Sequence, residues 1–157
     1  MKLFSKILLI FTLILFAGCY EKLSNKITFF EGYDFSTGDY KLLVFGTEGL
    51  WIDDYIDFYI DDIETLKKMQ KQWVFKYRTK TLACGYGYIV MLVDNNEVVK
   101  ETEVNIECEY MGAWIHFPKS YLSDHKTHFK RMTENEKKEF EEKYRKTNKK
   151  SEAEDNL

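Results

Sequence analysis

The stretch Tyr86-Gly87-Tyr88-Ile89-Val90-Met91-Leu92-Val93, followed by Asp94-Asn95-Asn96-Glu97 and then by Val98 to Cys108, decides the fold. Its first part is a continuous apolar run of strand length, its middle is a turn signal, and its last part alternates. The three together predict a β-hairpin. In the second arm Val98, Val104, Ile106 and Cys108 occupy even positions, while Glu101, Glu103, Asn105 and Glu107 occupy odd positions and belong to solvent. Register follows from parity, because a slip of one residue would turn the apolar set to the wrong face. A three-residue loop, Asn95 to Glu97, would set Tyr88 opposite Val104, Tyr86 opposite Ile106 and Cys84 opposite Cys108. That register makes a Cys84–Cys108 disulfide geometrically accessible. Two buried free thiols are the alternative, and no Cys or His companion lies at metal-ligand spacing around either one.

Outward from the hairpin, residues 27–33 and 39–46 read as two early strands. From Trp51 to Ile60 the pattern alternates: Ile52, Ile56, Phe58 and Ile60 share one face, and Trp51, Asp53, Tyr55, Asp57 and Tyr59 the other. Asp61 with Glu64 resembles a capping box, and Ile63, Leu66, Met69 or Gln70, and Trp73 recur at helical spacing. Trp73 to Tyr77 and Ala113 to Phe117 read as further strands, the latter closed by Pro118. Thr133 to Glu136 opens a second helix with a capping box, but only Phe140 and Tyr144 give it an apolar stripe, which predicts shallow packing. Residues 27–146 are therefore expected to form a single α+β domain, mainly an antiparallel sheet with one or two flanking helices. A small β-barrel or sandwich is the alternative. Residues 147–157 are charged and read as a disordered tail.

At the other end, Lys2 and Lys6 form a basic n-region, Ile7 to Phe16 an apolar h-region, and Ala17 and Gly18 precede Cys19. The apolar stretch is too short to span a bilayer as a mature helix. The run Leu15-Phe16-Ala17-Gly18-Cys19 resembles the lipobox of bacterial lipoproteins, with Phe16 where leucine is commonest. The resemblance covers only the leader. It implies cleavage of a signal peptide, residues 1–18, attachment of diacylglycerol to the Cys19 thiol, acylation of the new amino group, and a tether, residues 19–26, leading to the domain. Two or three acyl chains would hold the protein on a lipid bilayer almost permanently. Tyr20 rather than Asp follows the cysteine, which by the sorting rule of enteric bacteria favours the outer membrane. Such an address in the cell envelope permits disulfides, and Cys84 and Cys108 are then the even pair left over.

Charge and motifs bound the function. The formal charge of −3 becomes −5 once Lys2 and Lys6 leave with the leader, which argues against a nucleic-acid partner held by phosphate neutralisation. His125 and His128 stand three apart beside Asp124, but Lys119, Lys126, Lys130 and Arg131 surround them and would repel a cation. A calcium site from Asp53, Asp57 and Asp61 is weak, since every fourth residue of a strand is roughly 13 Å away. His116 alternates with Trp114 and reads as a half-buried strand residue. No nucleophile elbow, phosphate-binding glycine loop or zinc-protease motif is present, so no catalytic residue and no cofactor is assigned. The strongest candidate surface is Trp51, Asp53, Tyr55, Asp57, Tyr59 and Asp61, where acids interleave with aromatics in a composition suited to a cationic protein. The expected function is that of a non-catalytic, membrane-anchored protein-binding module, such as an immunity or inhibitor lipoprotein. A structural or assembly component of the envelope is the alternative.

Overall fold

Leu92 stands opposite Lys100 and Tyr88 opposite Val104, so the central hairpin pairs in the expected register over most of its length. The computed structural model describes residues 26–47, 55–78, 84–112 and 114–145. The leader, Cys19, Trp51, Asp53 and the 147–157 tail lie outside the described residues. The described strands are β1 (Lys26–Thr28), β2 (Tyr40–Gly46), β3 (Phe58–Ile60), β4 (Val74–Tyr77), β5 (Tyr88–Asp94), β6 (Glu97–Asn105), β7 (Tyr110–Met111), β8 (Ile115–His116) and β9 (Lys130–Arg131). The α-helices are α1 (Ile63–Gln72), α2 (Ser120–Ser123) and α3 (Glu134–Phe140), the last running on into a π-helical turn, Glu141–Arg145. All strands join one antiparallel sheet in the order β1-β4-β8-β7-β6-β5-β2-β3-β9. The fold is thus α+β and mainly sheet, open with β1 and β9 at its edges rather than closed into a barrel.

Strands β2 and β5 pair along their whole length, from Tyr40 opposite Asp94 to Gly46 opposite Tyr88, and lie at the middle of the sheet. Their even residues, Leu42, Val44, Tyr88, Val90 and Leu92, enter the larger core, and their odd residues, Leu43, Phe45, Ile89, Met91 and Val93, form a second cluster. Continuous apolar sequence is what a strand buried on both faces requires. Leu66 and Met69 of α1 join the larger core. Its densest part is aromatic: the Trp73 ring stacks on Phe30 at 5.1 Å and meets Phe29, Phe75 and Phe117 edge-on at 5.4–5.9 Å. Trp73 also satisfies its buried indole by donating to the Tyr121 carbonyl at 3.4 Å. Tyr59, Val98, Met132 and Phe140 pack against the second cluster, so the C-terminal helix flanks this face through Phe140 and, with none of its own residues buried, packs as shallowly as its sequence predicts.

The hairpin loop differs from expectation. Only Asn95 and Asn96 form it, with φ of 46° and 73°, the left-handed pair of a tight two-residue turn that asparagine tolerates well. Asp94 then faces Glu97 and Val93 faces Val98, and the register jumps by one before Leu92 meets Lys100. Val99 is the extra residue, a β-bulge. The bulge reverses parity, so Val98 packs against the odd-face cluster with Val93 instead of sharing a face with Val104. Other boundaries shift as well. Asp62, not Asp61, caps α1, its carboxylate accepting from the Thr65 N–H at 2.8 Å and the Thr65 hydroxyl at 2.5 Å. The strand expected over 27–33 stops at Thr28 and turns through Phe29 and Phe30, both buried. The Thr133/Glu136 capping box forms as the spacing predicts.

Beyond the ladder, Cys84 and Cys108 are disulfide-bonded with their Cα atoms 6.6 Å apart. The bridge joins the segment entering β5 to the turn after β6, not two paired strand residues. Around it, the Asn105 side chain donates to the Gly85 carbonyl and accepts from the Cys108 N–H at 2.7 Å. Arg78 donates to the Cys108 and Glu109 carbonyls at 3.1 and 2.7 Å. A cross-link over a sequence separation of 24 residues restricts the unfolded chain. Replacing both cysteines by serine is expected to lower unfolding free energy by about 3 kcal/mol, read as a lower urea midpoint.

Candidate functional site

The acidic and aromatic residues between Tyr55 and Asp61 do not share one strand face, because the strand there is only Phe58–Ile60. Tyr55 begins in a 3-10 turn and is buried at 3% exposure, its ring 6.4 Å from Tyr88 and 6.2 Å from Phe129. Ile56, expected to face the core, is instead 40% exposed. Bends at residues 56 and 57 break the alternation that the sequence suggests. Trp51 and Asp53 lie outside the described residues.

Asp57 is buried at 5% exposure and serves as a three-way fastener. One carboxylate oxygen accepts from the Gly46 N–H at the end of β2 at 2.6 Å. The other pairs with Lys137 Nζ of α3 at 2.5 Å, and the Asp57 carbonyl accepts from the Met132 N–H at 2.9 Å. Such a pair, largely removed from water, costs desolvation to form but is more costly still to leave half-made. Tyr59, half-buried, meets Phe140 at 5.8 Å between ring centres and carries Lys130 Nζ 5.8 Å from its own. Asp61 binds the same Lys130 at 2.7 Å, and this hydrogen-bonded carboxylate holds the ammonium pKa above its usual range. The cationic complement expected of an outside partner for Asp57 and Asp61 is therefore supplied within the chain, by β9 and α3.

Beside this edge lies an open cleft of about 520 Å³ lined by Asp61, Asp62, Thr127, His128, Phe129 and Lys130. Its charged walls already hold structural positions. Asp62 caps α1, and hydrogen bonds from the Thr65 hydroxyl and then the Thr65 N–H push its carboxyl pKa down. Asp61 and Lys130 hold each other. A neighbouring hollow of about 110 Å³ is lined by Ile56, Phe58, Lys126, Phe129 and Arg131, with Phe58 and Phe129 stacked at 3.7 Å.

Two of the three histidines, His116 and His125, are engaged with neighbouring side chains. His125 is buried, and its Nε2 lies 2.6 Å from Gln72 Oε1. Because the Gln72 amide nitrogen donates to Asp124 at 2.8 Å, its oxygen is left to accept, which places the neutral ring's proton on Nε2. Burial lowers the His125 pKa, with Asp124 opposing. His116 lies 3.6 Å from Glu109, whose own pKa is lowered first by the backbone N–H of Lys119 and further by His116 and Arg78. Among the described residues no three His, Cys, Asp or Glu side chains gather as metal ligands, and no helix is long and apolar enough to cross a membrane. Compared with protein-family models, curated proteins and solved structures, the chain matches none of them.

Sequence reasoning missed the roles of Lys130 and Lys137. Their only signal is the density of basic residues from Lys126 onward, which does not reveal which acid each one meets. Asp57→Ala is expected to destabilise the fold by about 3 kcal/mol, since it removes the buried carboxylate that both the part-buried Lys137 ammonium and the Gly46 N–H use. A double-mutant cycle with Lys137→Met, read by chemical denaturation, separates the pair's coupling from the rest. For His125 the unfolded ring takes a proton that the folded ring resists. Stability is therefore full above the unfolded value of about 6.5 and falls as pH drops below it. Thermal unfolding between pH 8 and pH 5 should show a smaller acid-induced loss in His125→Gln than in the parent.

Proposed function

We propose that this chain is a lipid-anchored, non-catalytic protein-binding module of a bacterial cell envelope, on the outer membrane in a bacterium that has one. The observation that carries the reading is the Cys84–Cys108 disulfide. Set beside a leader that ends in Leu15-Phe16-Ala17-Gly18-Cys19, it uses every cysteine outside the lipobox in a bond suited to an oxidising compartment. The commitment of His116 and His125 to Glu109 and Gln72 supports a scaffold rather than an acid–base site. An immunity or inhibitor role fits a small stapled domain tethered where imported or secreted proteins pass.

Lipidation is tested directly in bacterial cells. Labelled palmitate should enter the parent protein and be absent from Cys19→Ala, and mass spectrometry of the parent should find an acylated Cys19 as the first residue. A parent protein with an intact leader or a bare N-terminus would overturn the reading. The binding half is tested by crosslinking intact cells. A discrete complex with an envelope or imported protein is expected, and its absence under conditions that trap known neighbours argues against a binding module.

A further inference from the structure

The sheet ends at β9, and no strand of the described residues pairs with its outer side. Phe58 faces Arg131 and Tyr59 faces Lys130 across β3 and β9, and the Met132 N–H carries this register one pair further by donating to the Asp57 carbonyl at 2.9 Å. In an antiparallel ladder, pairs that exchange backbone hydrogen bonds alternate with pairs that do not, so Arg131 turns its own N–H and carbonyl toward the open side. Its side chain lies on the Phe58 face, where Ile56, Phe58, Lys126, Phe129 and Arg131 line the hollow of about 110 Å³. Ile56 is 40% exposed there, and both residues of β9 are exposed. Lys130 is held by Asp61, whereas Arg131 pairs with no acid among the described residues. Positive charge on an edge strand discourages a second copy of the same edge, since like charges would stand against each other, and it favours a segment of opposite sign.

We propose that the β9 edge receives an extended acidic segment of a partner protein as an added antiparallel strand, with a carboxylate opposite Arg131 and an apolar side chain in the hollow beside Phe129. The proposal rests on the protein-binding reading and gives it a site and a partner chemistry. An added strand bonds to the Arg131 N–H and carbonyl whatever its sequence, while its alternate side chains, on the Phe58 face, supply the preference. The residue directly opposite Arg131 shares its face, and the next residue on that face, two further along, stands opposite Phe129. The segment recognised is therefore an acid, then one residue of any kind, then an aliphatic residue. The acids of the neighbouring cleft are already engaged, Asp61 by Lys130 and Asp62 by Thr65 at the start of α1.

The test uses the full chain purified from bacterial membranes in detergent and a fluorescein-labelled hexapeptide, Thr-Val-Glu-Val-Leu-Thr-amide, with binding read by fluorescence polarisation. Exchanging the peptide's glutamate for lysine and, separately, Arg131→Glu in the protein should each weaken binding by about fivefold, the size of one cross-strand ion pair, and the two together should restore it. Ile56→Asp, at an exposed position, should weaken the parent peptide similarly by spoiling the hollow. Methylating the backbone nitrogen of the peptide's glutamate should abolish binding, because it removes the donor to the Arg131 carbonyl. A peptide that does not bind the parent, that binds Arg131→Glu equally well, or that binds undiminished when methylated overturns the added strand. Crosslinking in intact cells separates this failure from that of the broader reading. A parent complex that persists undiminished in Arg131→Glu overturns this site alone, whereas a parent that forms no complex overturns the binding module with it.

Discussion

The pairing of β2 with β5 constrains everything else in the molecule. Seven consecutive residue pairs lie side by side, and both strands are apolar on both faces. A sheet whose central strands are hydrophobic on both sides needs cover on both, and no single layer of helices supplies it. Leu66 and Met69 of α1 enter the core on one side, together with the Trp73 aromatic group. On the other, Tyr59, Met132 and Phe140 pack against Leu43, Phe45 and Met91. Asp57 is placed where these requirements meet: its carboxylate fixes the end of β2 and the base of α3, and its carbonyl fixes the residue after β9.

This constraint explains which parts of the fold were legible in the sequence. The run 88–93 is apolar without interruption and lies between turn signals, so the strand and its central position follow from composition alone. The Thr133/Glu136 cap is local and was equally readable. The bulge at Val99 was not, because a two-residue loop plus one extra residue gives the same outer register as a three-residue loop. Only the face taken by Val98 distinguishes them. The shallow packing expected of α3 came from counting its own apolar residues. What places it against the sheet includes Lys137, whose partner lies 80 positions earlier in the chain.

The alternation that suggested the candidate surface does not hold over the described residues, for a related reason. Alternation from Trp51 to Asp61 treats each residue as part of a strand, whereas turns and bends at 55–57 bury Tyr55 and expose Ile56. Acids that looked available to a cationic partner have cationic neighbours already: Asp57 has Lys137 and Asp61 has Lys130. Charge composition shows that such pairs are possible, but long-range contacts decide which are intramolecular. The exposed large aromatics among the described residues lie elsewhere, Tyr77 and Trp114 at the β4–β8 end.

The contribution of β9 and α3 to the second face also carries a consequence for biogenesis. Synthesis runs from the N-terminus onward. Strands β2 and β5 are made well before Met132, Lys137 and Phe140, so Leu43, Phe45 and Met91 lack part of their final cover until those residues follow. A chaperone that shields nascent β-rich segments has its natural target in that interval, and a polypeptide cut short before Thr133 would keep displaying the same signal to quality-control proteases.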